Sequence, residues 1–271
     1  MSAYSPGDPP VTDKLIVHGR NVEQMTVYSW ARDGKMHSAW PGEGKELPYD
    51  ATKIQVRIIA FPGASMREIY LEKGARTHPH DSYEAVLFYQ ISGRRVQMVN
   101  EHSFEVNPGD VTLEPAGVLH STYQLVSGLF MEFAMPAKTE PNAEAVWMTS
   151  AEAPMKNIVE WLADGMVTRS MDDASKPAPS GASRYTEKCY AMPGYSLIET
   201  TVGAGNLILP HIENVDRLYY LVKGRMTATI ANIQDIVMAG DTMRSLAGYP
   251  CGFSALEDSV LVHTVIPRAT S

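Results

Sequence analysis

Hydrophobic residues recur along this chain in short runs, and glycine or proline ends most of these runs. The clearest runs are rich in β-branched and aromatic residues and cover 54–61, 66–72, 85–91, 95–100 and 111–114. Short runs of this kind at close spacing are typical of strands in sandwiches and closed barrels. The pattern therefore predicts an all-β protein.

One segment departs from the strand pattern. The apolar residues that follow Pro154 have the spacing of one helix face, namely Ile158, Trp161, Leu162 and Met166. Proline is favourable in the first turn of a helix, so this spacing predicts a short helix that covers one end of a domain. Residues 171–183 follow, and their Pro, Ser, Ala and Gly content is typical of a flexible linker.

The chain contains an internal repeat with an offset of 131 residues, in which residues 60–136 align without gaps with residues 191–267. The identical pairs include Pro62/Pro193, Gly74/Gly205, His80/His211, Tyr89/Tyr220, Gly93/Gly224, Gly109/Gly240 and Gly117/Gly248. A repeat unit of this length is a whole domain, because the units of solenoids are shorter. We predict an N-terminal arm at 1–50, a first barrel at 51–150, a helix and linker at 151–183, and a second barrel at 184–271.

Three histidines and one carboxylate fall within two short motifs of the first repeat unit. The first motif reads His78-x-His80-x-x-x-Glu84, and the second ends in His120 within Gly109-(x5)-Pro115-x-Gly117-x-x-His120. Side chains two residues apart on a strand point to the same face, so the imidazoles of His78 and His80 can converge on one ion.

These motifs resemble the two motifs of the cupin superfamily, G(x)5HxH(x)3,4E(x)6G and G(x)5PxG(x)2H(x)3N. With the repeat, the resemblance implies a bicupin: two tandem double-stranded β-helix barrels. It also implies that His78, His80, Glu84 and His120 bind a metal. Gln124 stands at the family's usual Asn position, where it is a candidate to face the substrate.

The first motif departs from the family frame. Only three residues separate Gly74 from His78, so the HxHxxxE core is displaced by two positions. An even displacement keeps the side chains on the same face of a strand but changes their depth. If the frame is kept instead of the core, Ser82 and Val86 take ligand positions, and that arrangement would bind an ion poorly.

The second repeat unit differs at the same positions. It reads His211-x-Glu213-(x3)-Arg217, and Cys251 replaces the histidine of the second motif. A guanidinium at Arg217 is expected to repel a divalent ion and to attract Glu213. We predict that this barrel is a metal-free scaffold half, with a metal-free pocket lined by the four side chains as the alternative.

The implied ligand set of three imidazoles and one carboxylate suits Fe(II), Mn(II), Ni(II), Co(II) or Zn(II). Resemblance to quercetinase-like and gentisate-type bicupins favours a dioxygenase that cleaves a small oxygenated organic acid or aromatic substrate. A non-oxidative cupin lyase, decarboxylase, hydrolase or isomerase is the alternative enzyme, and a pirin-like ligand-binding or regulatory bicupin is the third hypothesis. Further weak candidates for catalytic groups are Tyr83, His102, Glu114 and Tyr123.

The composition of the chain excludes some classes of binding partner. The formal net charge is -8 and basic residues are not clustered, so nucleic acid is not expected as a partner. No apolar run reaches 18 residues and the first residues lack a signal-peptide pattern, so we expect a cytoplasmic protein without a membrane partner. Two cysteines are too few for a disulfide scaffold. We expect the protein to bind a small-molecule substrate and to form a homodimer.

Overall fold

The computed structural model describes residues 15–18, 53–61, 64–77, 79–136, 146–172, 175–176 and 178–266. Regular structure in these residues consists of β-strands without an α-helix, which confirms the all-β prediction. A helix of the length and apolar character needed to cross a membrane is accordingly absent from these ranges.

The first half of the chain forms one barrel, which we call barrel 1. The strands up to its end are β1 (Ile16–Val17), β2 (Ile54–Phe61), β3 (Ala64–Leu71), β4 (Glu84–Gln90), β5 (Arg94–Val99), β6 (His102–Val106), β7 (Val111–Glu114), β8 (His120–Val126), β9 (Gly128–Pro136) and β10 (Val146–Met148). Barrel 1 consists of an antiparallel sheet in the order β10-β7-β4-β9-β3-β2 and a smaller sheet in the order β6-β5-β8.

The second half forms barrel 2. Its strands are β11 (Met155–Ala163), β12 (Met166–Met171), β13 (Ser183–Met192), β14 (Tyr195–Val202), β15 (Leu207–Ile212), β16 (Asp216–Lys223), β17 (Arg225–Ile230), β18 (Ile233–Met238), β19 (Thr242–Ser245), β20 (Pro250–Ala255) and β21 (Ser259–Ile266). The larger sheet has the order β1-β19-β16-β21-β14-β13-β11-β12, and the smaller one the order β15-β20-β17-β18.

The larger sheet of barrel 1 is buried on both faces. On β9, Phe130 packs inside the barrel, whereas Met131, Phe133 and Met135 pack in a cluster shared with barrel 2. Strands of this kind read as continuous hydrophobic runs, because neither face meets water. Glu132 breaks the run on the interior side, and this parity directs its carboxylate into the barrel.

The two barrels contact each other reciprocally. The Tyr89 hydroxyl donates to Glu199 Oε2 at 2.7 Å, and the repeat-equivalent Tyr220 hydroxyl donates to Glu68. Equivalent residues exchanged in this way are the mark of an isologous interface. The single chain therefore forms an internal pseudo-dimer.

A short strand that precedes barrel 1 in the sequence pairs with barrel 2, and a short strand that precedes barrel 2 pairs with barrel 1. Strand β1 pairs with β19 of barrel 2, with Ile16 opposite Met243, and β10 pairs with β7 of barrel 1, with Trp147 opposite Thr112. The two pairings are related by the 131-residue offset. The described part of the predicted N-terminal arm is therefore a strand of barrel 2.

The predicted helix after Pro154 is wrong. Strands β11 and β12 form a hairpin there, with Ala163 paired to Met166 across a two-residue turn. Asp164 and Gly165 have φ of 51° and 77°, which is the left-handed conformation of a type I′ turn. This turn fits the right-handed twist of the strands, and pairing of β11 with β13 then extends the sheet of barrel 2.

Candidate functional site

Two of the predicted ligands lie side by side inside barrel 1. His120 begins β8, and its backbone forms a reciprocal hydrogen-bonded bridge with His80, with N···O distances of 2.9 and 3.0 Å. The centroids of the two imidazole rings are 4.3 Å apart. The turn at Gly117, whose N–H donates to the Ser82 carbonyl at 2.7 Å, holds this end of the barrel together.

The His120 imidazole is held from both nitrogens. Its Nδ1 lies 2.9 Å from the Val118 carbonyl, which fixes Nδ1 as the donor, and its Nε2 lies 3.0 Å from Glu114 Oε2. Burial opposes the charged imidazolium, but the adjacent Glu114 carboxylate outweighs burial, so the pKa of His120 is raised.

Glu114 is the weak catalytic candidate that the structure places in the interior. Its side chain is 1% exposed, and Gln97 donates to the carboxylate oxygen that does not face His120. Gln97 in turn accepts from the Thr122 hydroxyl at 2.7 Å. The four side chains form one buried network, which orients the carboxylate toward the imidazole.

A second interior carboxylate was not predicted. Glu132 on β9 lies 3.1 Å from the Arg67 guanidinium, and burial is the main reason that the pKa of Glu132 is raised. Arg67 also reaches Glu84 at 3.4 Å. Glu84 opens β4 at the rim, where its side chain is 41% exposed. The predicted ligand Glu84 is thus paired with an arginine.

The side chains of this region enclose a cavity of about 330 Å³. One wall is polar and carries Thr77, His80, Ser82, Gln97, His120 and Thr122, with Arg67 and Glu132 beside them. The other wall is apolar and carries Ile54, Val56, Ile69, Phe88 and Phe130. A cavity of this size and mixed lining suits a small ring-sized organic molecule that carries oxygen atoms at one end.

The remaining predicted residues lie elsewhere. Tyr83 is fully exposed, and His102 is exposed on β6. Tyr123 is half-buried with the Arg76 guanidinium 4.6 Å from its ring centroid. Gln124 is buried, and its Nε2 donates to the Val126 carbonyl at 2.6 Å. His78 lies outside the described residues.

The described residues provide too few donor atoms in one place to bind a metal ion. His120 offers an Nε2 lone pair with its tautomer fixed by Val118, a typical metal-ligand arrangement. Nevertheless, no group of three His, Cys, Asp or Glu side chains within the described ranges is placed to share one ion. Val86 occupies a frame position without a donor atom and packs in the interior cluster. The described residues alone therefore do not fit a metal, and the predicted set of His78, His80, Glu84 and His120 stays a prediction.

The equivalent positions of barrel 2 carry an ion-pair network. Arg217 Nε binds Glu213, as the sequence predicted, and His211 Nε2 lies 3.4 Å from the same carboxylate. These contacts lower the pKa of Glu213 to about 2 against the opposing effect of burial. Cys251 pairs with His211 across β15 and β20 and is buried.

His263 completes this network and was missed. Its Nδ1 lies 3.2 Å from Arg217 Nη1, and its ring stacks on Tyr219 with centroids 5.1 Å apart. Burial, reinforced by the Arg217 cation, lowers the pKa of His263 to about 3. In the repeat, His263 is the counterpart of Glu132, so the interior position of both was open to prediction from the alignment.

Comparison with solved structures gives several matches at low sequence identity. AerE from Microcystis aeruginosa superposes with a TM-score of 0.63 at 11% identity, covering 80% of this chain and 93% of AerE. A structure concerned with the Mn(II) centres of Bacillus subtilis oxalate decarboxylase gives 0.56 at 15% identity, covering 80% and 74%. A cupin 2 conserved barrel domain protein from Leptotrichia buccalis gives 0.52 at 13% identity, covering 82% and 92%.

Sequence comparisons add nothing to this likeness, because no family model and no curated protein matches the chain. At these identities the structural likeness shows a shared fold. The shared fold alone does not define the reaction, which depends on the side chains of the cavity.

Proposed function

We propose that this chain, which has the two-barrel cupin fold, is an enzyme that binds a small oxygenated organic substrate inside barrel 1 and transfers a proton on it. The observation that carries the proposal is the buried His120–Glu114 pair beside a cavity of about 330 Å³. A histidine held by a carboxylate is a standard general acid or base.

Each side chain has a separate part in the proposed chemistry. The exchanged proton is the one shared by His120 Nε2 and Glu114 Oε2, since Nδ1 of His120 is committed to the Val118 carbonyl. Glu114 stabilises the imidazolium, and Gln97 keeps that carboxylate oriented. The apolar wall excludes water from the reacting atoms, which strengthens these electrostatic contacts. Isomerisation, elimination and decarboxylation are the reaction classes that such proton transfer serves.

The experiment follows solvent deuterium rather than one assumed reaction. A panel of small keto acids, hydroxy acids and aromatic acids is incubated with the protein in D2O without oxygen, and NMR detects exchange or turnover. We expect one or more compounds to react, and His120→Asn to slow that reaction by about 100-fold or more. In a parallel incubation with oxygen, oxygen uptake matched to substrate loss would instead establish the dioxygenase. Tight binding without turnover of any compound would favour the ligand-binding hypothesis.

As the alternative to proton transfer by His120, we propose one divalent ion in barrel 1, with Fe(II), Mn(II), Ni(II), Co(II) and Zn(II) as candidates, because an ion bound at Nε2 would occupy the lone pair that takes the proton. Its support is the motif pair around His80 and His120, together with the fold shared with an oxalate decarboxylase whose Mn(II) centres are known. A bound ion would polarise substrate oxygens as a Lewis acid. Elemental analysis of the purified chain tests this: one ion per chain, lost in His80→Ala and His120→Ala, supports it, and a metal content below one tenth per chain rejects it.

The proposed homodimer rests on the β11–β12 hairpin. Strand β12 is an edge of the larger sheet of barrel 2, and the hairpin exposes Leu162, Met166 and Met171. Exposed apolar side chains on an unpaired edge favour association with a second chain. Light scattering during size exclusion measures the mass, and a mass of one chain contradicts the proposal.

A further inference from the structure

A charged residue lies behind the apolar wall of the barrel 1 cavity. Arg95 on β5 is completely buried, and its Cζ lies 4.1 Å from the ring centroid of Phe130 and 5.0 Å from that of Phe88. Both rings also line the cavity, whereas Arg95 is not among the lining residues. One layer of aromatic side chains therefore separates a guanidinium from the ligand space.

Within the described part of the chain, none of the three guanidinium nitrogens of Arg95 has a hydrogen-bond partner. The two interior carboxylates are engaged with other groups, Glu132 with Arg67 and Glu114 with Gln97 and His120. Burial lowers the pKa of Arg95 to about 10 against the opposing charges of Glu114 and Glu132, so the side chain is charged at neutral pH. An interior cation without a hydrogen-bonded anion is unfavourable, and a bound anionic ligand would stabilise it.

Other polar atoms around Arg95 are unsatisfied as well. Gln124 is its cross-strand partner on β8, Gln90 is the partner of Phe130, and Thr112 is the partner of Phe88. A side-chain oxygen of each is buried without a hydrogen bond in the described residues. We call Gln90, Arg95, Thr112 and Gln124 the polar floor of barrel 1.

Barrel 2 shows that the fold does not require this polar floor. The repeat-equivalent residues all belong to its buried hydrophobic core, and they are Leu221, Met226, Met243 and Ala255. The same chain thus builds the same end of a barrel from apolar side chains alone. The architecture does not need these polar residues, and Arg95 lies against two rings that line a ligand-sized cavity, so we attribute the buried charge to binding of a ligand.

We propose that Arg95 makes barrel 1 selective for organic anions, so that its substrate is a small carboxylate whose apolar part lies against Phe88 and Phe130. The inference rests on the proposed function and names its substrate class. Arg95 acts as a positioning residue through the electrostatic field of its guanidinium in a low-dielectric interior. The preference for an anion does not depend on which reaction follows.

Benzoate and benzamide are the probes, since they share size and ring but differ in charge. Isothermal titration of the full chain is expected to give at least about tenfold tighter binding of benzoate, and an equal affinity for both probes would overturn the proposal. Binding of neither probe at millimolar concentration overturns it too. Because the assay measures binding, anion selectivity in an inactive protein would reject the proposed function and uphold Arg95.

The equivalent position of barrel 2 indicates which variant of Arg95 to test. Arg95→Met copies Met226 of barrel 2, and we expect it to remove the preference for benzoate. Arg94→Met removes the adjacent, exposed cation of the same strand, which lies outside the cavity, and is expected to keep the preference. Arg95→Lys retains a cation and should keep part of it, which tests the charge even where Arg95→Met fails to fold. Undiminished benzoate selectivity in Arg95→Met is the contrary result.

Discussion

Nε2 of His120 lies 3.0 Å from Oε2 of Glu114, while Nδ1 of the same imidazole faces the Val118 carbonyl. A neutral imidazole with its proton on Nδ1 would turn an Nε2 lone pair toward the carboxylate. Two lone pairs at this distance repel, so a proton or another cation has to lie between them. We therefore expect this pair to bind a proton or another cation between Nε2 and Oε2.

Replacing Glu114 by Gln should lower the pKa of His120, because the carboxylate that favours the imidazolium is removed while burial remains. NMR titration of the His120 ring measures the shift. We expect turnover to fall by about 100-fold along with it. Glu105→Gln, at a partly exposed carboxylate on β6 paired with Arg94, is the control and should change neither quantity. An unaltered His120 titration in Glu114→Gln would show that the pair is not coupled.

The reciprocal contacts between the barrels predict equal and additive effects. Tyr89→Phe removes the donor to Glu199, and Tyr220→Phe removes the donor to Glu68. Each change leaves a carboxylate with one fewer hydrogen bond, so each should lower the free energy of unfolding by about 1–3 kcal/mol. Urea denaturation measures the two single variants and the double variant.

The control is Tyr249→Phe, since Tyr249 is half exposed in a turn of barrel 2. It should leave the unfolding midpoint unchanged. Additive losses in the double variant are expected because the two contacts share no atoms. A large loss from one tyrosine and none from the other would contradict the pseudo-symmetric interface.

Two glycines with similar backbone angles should differ in their tolerance of alanine. Gly93 has φ +73°, and a Cβ there would lie 2.5 Å from the Val126 carbonyl oxygen and 2.6 Å from Gly128 Cα. Gly165 has φ +77° with nothing within 4 Å of such a Cβ. Gly165→Ala should therefore lose only about 1 kcal/mol of stability, from backbone strain alone.

Gly93→Ala adds a clash with backbone atoms to the same strain, so we expect a loss of several kcal/mol or failure to accumulate as folded protein. Thermal unfolding followed by circular dichroism compares the two variants. Equal midpoints would mean that the loop at Gly93 moves aside at little cost.

The two-barrel architecture could be predicted from the sequence because the repeat indicates two copies of one domain. The 131-residue offset predicted two domains, and it placed Arg217 where it binds Glu213. The hairpin at 155–171 was missed because helical spacing was weighed above the Asp164-Gly165 turn. Both turn residues have positive φ, a local requirement that the spacing of apolar residues does not reveal.

The interior chemistry could be predicted only in part. Arg94 and Arg95 are adjacent, and only strand parity sends one to the surface and the other into the barrel. In a sheet buried on both faces, as around Glu132, the parity itself is hidden in a continuous apolar run. The contrast of Arg95 with Met226 and of Glu132 with His263 was the available signal, because equivalent positions of one fold then differ in polarity.

Acidification should weaken barrel 2 through His263. Its pKa is lowered to about 3 in the folded chain, below the ordinary value of 6.5, so the unfolded chain binds the proton first. The stabilising effect of keeping this ring neutral is present above pH 6.5 and is lost as the pH falls toward 3. Between pH 7 and pH 5 His263 should contribute a loss of about 2 kcal/mol to the free energy of unfolding, from the one-proton linkage relation. Urea denaturation at both pH values tests this, with His263→Gln expected to remove that increment and exposed His102→Gln expected to retain it. An identical pH dependence in His263→Gln would show that His263 is not the group responsible.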